Sequence, residues 1–267
     1  MIRSDYHVHS AFSGDCDIPM EEVIQAAIAL RMENLCFTDH HDLDFPHPTI
    51  NFLLDLDGYF DALEKYKEQY RGRIRLLSGI ELGMQAHLHK ALSDLVRSRP
   101  LDFVLASNHL ANGLDPYERT FFEGRSQSAG YLAYFEDMLY NVQRFQDYDS
   151  YGHLDYVVRY GLEEDKKMVY RDFQDVLDEI LKTIVSNGKG IELNTSGYRY
   201  KLDAPHPNPD ILRRYRELGG ETITLGSDAH NPRFLLNRME QAADLLRSLG
   251  YRHYAVFHNR KPTYLPL

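Results

Sequence analysis

The sequence predicts an α/β fold in which parallel strands are joined by crossover helices within one domain spanning residues 1–267. Three observations carry that expectation. About seven short β-like runs alternate with helical ones along the chain. Nearly every run finishes in a His, Asp, Asn or Glu. A length of 267 residues at 43% hydrophobic and 12% aromatic content is enough to bury one large core. It suits a single α/β barrel as well as two smaller domains, but no linker, low-complexity tract or repeat marks a boundary.

In chain order, the strand runs cover 6–9, 35–40, 76–81, 103–109, 151–153, 191–194 and 223–228. The first helix is expected from about Asp17, with Pro19 in its first turn and Val23, Ala27 and Leu30 buried. Residues 58–70 read as a second helix. Phe173, Val176, Leu177, Ile180, Leu181 and Ile184 make one apolar stripe, which is ordinary helical core. Asn208-Pro209 opens another helix, and Gly250 closes a last one after Met239, Ala243, Leu246 and Leu249. Between them, 111–129 is polar and aromatic, contains Gly113 and Gly124, and reads as a long functional loop of the kind that covers a substrate.

Forty acidic residues against thirty basic ones give a net charge of -10. Such a chain is a poor partner for a nucleic-acid backbone or an anionic membrane and suits a small captured substrate, although bound divalent ions would make one cleft positive regardless. Cys16 and Cys36 form neither a disulfide framework nor a CxxC pair. With no apolar signal region and no run long enough to span a bilayer, a cytoplasmic location is the expectation. Nothing in the pattern specifies an oligomeric state.

Thirteen histidines are many for this length, and several sit beside Asp or Glu in strand-like segments. In Asp5-Tyr6-His7-Val8-His9 the two histidines are two apart on a strand, so both project from one face and can chelate one ion. Alone, such a pair reads more readily as two polar residues on a solvated strand face. Its company argues for metal: Thr38-Asp39-His40-His41-Asp42, Gly79-Ile80-Glu81, Asn108-His109, Gly152-His153-Leu154-Asp155 and Gly226-Ser227-Asp228-Ala229-His230 each follow an apolar run. Strand ends of a closed barrel converge on one face and can surround a common cavity. Neutral imidazoles with a few carboxylates suit zinc, manganese or iron better than calcium or magnesium. A carboxylate such as Glu81 can bridge two ions.

These segments, from His7 to His230, resemble the motifs of the polymerase and histidinol phosphatase (PHP) family. The resemblance implies a distorted (β/α)7 TIM-like barrel and up to three divalent transition-metal ions. Carried onto matching positions, one ion would be held by His7, His9, Glu81 and Asp228, a second by Glu81, His109 and His153, and a third by Asp15, His40 and His230. Many family members have His where this chain has Asp15, a departure that bears on the third ion. Asn108-His109-Leu110, then Phe121-Phe122-Glu123-Gly124 and Tyr134-Phe135, look most like the stand-alone histidinol-phosphate phosphatases. That similarity implies hydrolysis of L-histidinol phosphate in histidine biosynthesis.

A phosphomonoester resists attack because its negative oxygens repel a nucleophile, so hydrolysis needs concentrated positive charge and an activated water. Clustered ions supply both, and a hydroxide bridging two of them is the expected nucleophile. Arg159 and Arg199 are candidates for forked contacts to phosphate, each otherwise a surface arginine. His41 is placed to protonate the leaving oxygen or bind phosphate, or else to support the ligands by hydrogen bonding. Asp39, Asp42 and Asp155 are candidates to orient ligand imidazoles. His47, His87, His89, His206, His253 and His258 fall outside the strand-end pattern and read as surface or packing residues.

The segment Asp55-Leu56-Asp57-Gly58 resembles the nucleophile motif of haloacid-dehalogenase-type phosphatases. Tyr59 departs from that pattern, so both aspartates read as turn and cap residues. Phosphate-binding GxxxxGKS/T, HExxH, GxSxG and CxxxxxR motifs are absent. Two alternatives stand beside the histidinol-phosphate reading: a phosphoesterase acting on nucleotides, short nucleic acids or phosphotyrosine, and a metal-stabilised binding module without turnover.

Overall fold

The apolar runs become strands buried along almost their whole length, as parallel strands covered on both faces must be. In the computed structural model, which describes residues 1–267, they are β1 (Ser4–Val8), β2 (Asn34–Phe37), β3 (His40–His41), β4 (Arg75–Gly83), β5 (Phe103–Ser107), β6 (Ser150–Tyr151), β7 (Gly190–Asn194) and β8 (Ile223–Gly226). They pair in parallel in the order β1-β2-β4-β5-β6-β7-β8, with β3 on β4 beyond the end of β2. The ring closes through the segment after β8: Val8 bridges Ala229, and the His9 amide donates to the Ala229 carbonyl at 3.0 Å. Buried Asp5 reinforces the seam by accepting from the Ser227 amide at 2.9 Å and the Leu236 amide at 3.1 Å. The barrel is therefore distorted where the chain carrying Asp228 and His230 meets β1.

Helices α1 (Met20–Ala29), α2 (Leu56–Gln69), α3 (His89–Ser98), α4 (Gln127–Arg144), α5 (Gln174–Ser186), α6 (Pro209–Glu217) and α7 (Met239–Ser248) alternate with the strands. In α1, Met20, Val23, Ile24 and Ala27 face inward, but the helix stops at Ala29. Leu30 becomes its C-cap and is 50% exposed, contrary to the sequence expectation. The Asp55 carboxylate caps α2 by accepting from the Gly58 amide at 3.2 Å, which accounts for the dehalogenase-like segment as a helix start. Of the expected stripe, Phe173, Leu177, Ile180, Leu181 and Ile184 are buried and Val176 is half-buried against the core, and each fully buried side chain stabilises the fold by about 1.5–3 kcal/mol. Asn208 caps α6, with Pro209 at its start, and Gly250 at φ 88° follows α7.

Two regions depart from expectation. The stretch 111–129 is less of a loop than its composition suggests: Phe121 and Phe122 enter the core and α4 begins at Gln127. Gly130 makes room for this, since a Cβ there would lie 2.4 Å from Phe122. A C-terminal hairpin, β9 (His253–His258) and β10 (Lys261–Pro266), forms a separate antiparallel sheet. It plugs the N-terminal end of the barrel, where the Tyr6 hydroxyl donates to the Phe257 carbonyl at 2.8 Å and accepts from the Phe257 amide at 2.9 Å. The site is left at the opposite mouth. No helix is long and apolar enough to cross a membrane.

Candidate metal centre

The strand ends gather around Glu81, which β4 carries to the barrel axis with no exposure. Its Oε2 lies 3.1 Å from His7 Nε2, 3.6 Å from His9 Nε2 and 3.1 Å from His40 Nδ1. Its Oε1 lies 3.2 Å from His109 Nε2 and 3.0 Å from His153 Nε2. Asp228 Oδ1 approaches His9 Nε2 at 3.6 Å and His230 Nδ1 at 3.4 Å. Asp15 Oδ2 is 3.2 Å from His230 Nε2 and 3.7 Å from His40 Nε2. The nine candidate ligands thus gather into one cluster; Asp15, His40, Glu81, His109, His153, Asp228 and His230 line a single cavity, and His7 and His9 lie buried behind it.

This donor set fits cations. His7 Nε2, His9 Nε2, His40 Nδ1, Asp42 Oδ2, Glu81 Oε2, His153 Nδ1 and His230 Nε2 are buried without a hydrogen-bond partner. Buried polar atoms are paired in about 90% or more of cases, so such a concentration needs a ligand. Ligand-spaced groups include His7-His9-Glu81, Glu81-His109-His153 and His9-His40-His230. The last brings His9 close to the position expected for Asp15, His40 and His230. Mixed nitrogen and carboxylate groups of this kind suit divalent transition metals.

The local electrostatics follow from the same crowding. Burial pushes the Glu81 carboxyl up, but His7, His40 and His109 outweigh it and hold it well below the usual range. On one strand face, His7 and His9 move in opposite directions. Burial opposes a charge on His7, yet Glu192, Glu81 and Asp228 raise it well above the ordinary value. Burial depresses His9, and neighbouring His230, His40 and His7 depress it further. For His40, burial is outweighed by Glu81 and Asp15, which push it up to about 9. Asp228 at φ 54° and His153 at φ 21° have positive φ, strain that surrounding structure must hold in place.

A surrounding tier fixes the imidazoles. His7 Nδ1 meets Glu192 Oε1 at 2.6 Å, directing Nε2 to the cluster. Glu192 Oε2 accepts from the His153 amide at 3.0 Å. Glu192 carries no strand-end signal; an acid inside an apolar strand was the available cue. Gly226 permits the approach, because a Cβ there would sit 2.0 Å from Glu192 Oε1. His109 Nδ1 meets Asp42 Oδ1 at 2.6 Å, and His9 Nδ1 meets Ser13 Oγ at 2.9 Å, itself hydrogen-bonded to Asp39. Asp155 orients no ligand; it holds His206 instead.

His41, Arg159 and Arg199 are placed differently from one another. Adjacent strand residues point to opposite faces, so His41 turns away from the cavity and its Nδ1 accepts from the Leu54 amide at 3.2 Å. That arrangement makes His41 a support for the following loop. Arg199 Nη1 and Nη2 donate to the Ser227 and Asp228 carbonyls, both at 2.7 Å, bracing the strained ligand segment. Arg159 is buried beside the cluster; its Nη2 reaches Asp228 Oδ2 at 3.1 Å, and Nη1 has no protein partner. The cavity has a volume of about 310 Å³, with Phe45, Phe52, Tyr156, Tyr160, Tyr200 and Phe234 supplying aromatic wall.

A family model for the PHP domain matches residues 5–196. The chain belongs to the PHP family. A PHP relative, histidinol-phosphatase of Lactococcus lactis subsp. lactis, is 32% identical over 265 residues, 98% of this chain and 96% of its own. A probable histidinol-phosphatase of Clostridium acetobutylicum is 34% identical over 226 residues, 85% of this chain and 86% of its own. The crystal structure of the Lactococcus histidinol phosphate phosphatase, complexed with zinc, L-histidinol and phosphate, matches with a TM-score of 0.90 at 31% identity over 98% of both chains. The PHP barrel, with its mostly parallel and nearly closed sheet, agrees with the expected fold class.

Proposed function

We propose that this PHP chain is a metal-dependent phosphomonoesterase that hydrolyses L-histidinol phosphate to L-histidinol and phosphate. The carrying observation is its correspondence, over 98% of both chains, with a phosphatase complexed with zinc, L-histidinol and phosphate. The unpaired donor cluster supports the same chemistry. His7, His9, Glu81 and Asp228 would hold one ion, Glu81, His109 and His153 a second, and Asp15, His40 and His230 a third. Bound there, the ions neutralise phosphate charge and supply a water activated near neutral pH.

The chain's own groups set the substrate's position. Arg159 offers its unpaired Nη1 to a phosphate oxygen, while Arg199 holds the Asp228 backbone in place. Glu192 and Asp42 keep His7 and His109 aimed at the cluster. The aromatic wall gives a planar imidazole faces on which to stack. A cavity of about 310 Å³ is of the size that holds one small phosphomonoester.

Turnover of L-histidinol phosphate, nucleoside monophosphates and phosphotyrosine by metal-replete protein tests this function. The expected kcat/KM favours L-histidinol phosphate by about 100-fold or more, and chelation abolishes activity. A preference for a nucleotide or phosphotyrosine would remove the substrate assignment. Full turnover after complete chelation would remove the metal requirement.

A further inference from the structure

The guanidinium of Arg159 is held on three sides. Nη2 donates to Ser196 Oγ at 2.5 Å and Asp228 Oδ2 at 3.1 Å. The rings of Tyr156 and Tyr200 lie 4.8 and 4.3 Å from its Cζ. The third hold is Nε, which donates to His206 Nε2 at 3.0 Å. An arginine Nε can only donate, so His206 Nε2 must be a bare acceptor and the imidazole hydrogen must reside on Nδ1. That nitrogen faces Asp155 Oδ1 at 2.5 Å, while Asp155 Oδ2 accepts from the Asn208 amide at 2.9 Å.

The arrangement is sealed and anchored. His206, Asp155 and Arg159 are 0%, 3% and 7% exposed. The His206 backbone is fixed to the end of β7 by reciprocal bonds with Asn194, 2.8 Å from its amide and 2.6 Å to its carbonyl. A carboxylate in place of His206 would bind Nε more strongly, but it would also neutralise charge intended for phosphate. Nη2 already meets Asp228. A neutral imidazole fixes the direction of the fork and leaves Nη1 available.

We propose that His206, with its tautomer set by Asp155, is a positioning residue for phosphate recognition that aims Arg159 into the cavity without cancelling its charge. The inference rests on Arg159 being the phosphate contact proposed above. Its test is a double-mutant cycle of His206→Ala and Arg159→Ala, with His206→Gln placing an amide oxygen near the acceptor position. The measurements are kcat and KM on L-histidinol phosphate, metal content, and calorimetric binding of inorganic phosphate to metal-replete protein.

In the native background, His206→Ala should weaken phosphate binding and lower kcat/KM by about 10–100-fold at unchanged metal content. In the Arg159→Ala background the same change should alter either quantity by less than about 2-fold, and His206→Gln should recover most of the native behaviour. Losses that simply add, or native phosphate affinity in His206→Ala, would overturn the inference while leaving Arg159 in place. Native phosphate affinity in Arg159→Ala would overturn both. Should the alanine variant lose its fold, His206→Leu, which fills the space without an acceptor for Nε, carries the cycle in the two backgrounds: a loss that vanishes without Arg159 supports coupling, and one that persists, or no loss at all, overturns it.

Discussion

At the floor of the barrel, Asp102 and Asp149 are 6% and 7% exposed, buried like Asp42 and Glu81 at the mouth, which are 4% and 0% exposed. Asp102 Oδ1 accepts from the Asn259 amide at 3.0 Å, and Oδ2 from the Ser78 amide and hydroxyl, both at 3.0 Å. Asp149 accepts from the Val104 amide at 2.8 Å and from Arg260. At the mouth, Glu81 Oε2 and several imidazole nitrogens face one another without hydrogen bonds. Electrostatics separate the ends too. Burial dominates at Asp149 and raises its carboxyl despite Arg260, whereas imidazoles overcome burial at Glu81. Equal burial therefore has two meanings: satisfied acids tie the floor together, and unsatisfied ones mark where ions and chemistry belong.

The strongest way to break that division is Glu81→Ala. Because two ligand-spaced groups share this carboxylate, its loss should remove at least two ions and lower kcat on the order of 10³-fold, equivalent to several kcal/mol of metal-derived stabilisation. Elemental analysis and steady-state kinetics on the same preparation check this; an intact complement of ions would end its bridging role. A smaller effect is expected one tier out. Glu192→Gln leaves His7 Nδ1 beside a neutral amide, and metal titration of the stripped variant should show affinity about 10–100-fold weaker. Unchanged affinity would make Glu192 a filler of the barrel interior and move the boundary of the mouth inward.

How far these assignments were legible depends on the information each residue carries locally. His7 and His9 share a face by strand period alone, and Glu81, His109, His153 and Asp228 each end an apolar run. The closed sheet then gathers them. Side-chain direction was less accessible. His40 and His41 differ in sequence by one position but face opposite ways, and Arg199 is recognisable as a cation without any sign that two backbone carbonyls engage it. Glu192 was hidden because facing inward requires the register of β7. His206 was hidden because its partner Arg159 is 47 positions away and His206 itself lies in the connection between β7 and α6, outside any helix or strand. The terminal hairpin was missed for a related reason: its apolar residues belong to a second sheet, so the strand–helix alternation gave them no place.

The floor offers the complementary experiment, with the smallest expected effect on activity. Arg260 donates through Nε to Asp149, through Nη2 to the Asp147 carbonyl at 3.1 Å, and its amide donates to the Asp102 carbonyl at 2.9 Å. Arg260→Ala keeps the amide bond but leaves the buried Asp149 carboxylate with the Val104 amide alone. The Arg260 side chain is 27% exposed, so water can approach part of the vacated space and moderate the penalty. The expected cost is about 1–3 kcal/mol, and each kcal/mol should lower the melting temperature of a chain this size by about 2–4 °C. Metal content, kcat and KM at 25 °C should stay within about 2-fold of native, because no floor residue touches the cluster. A melting shift with native kinetics would sharpen the separation of stabilising floor from reactive mouth. Loss of ions or turnover in still-folded protein would show that strain crosses the barrel, and the acids at its two ends would then have to be treated as one coupled system.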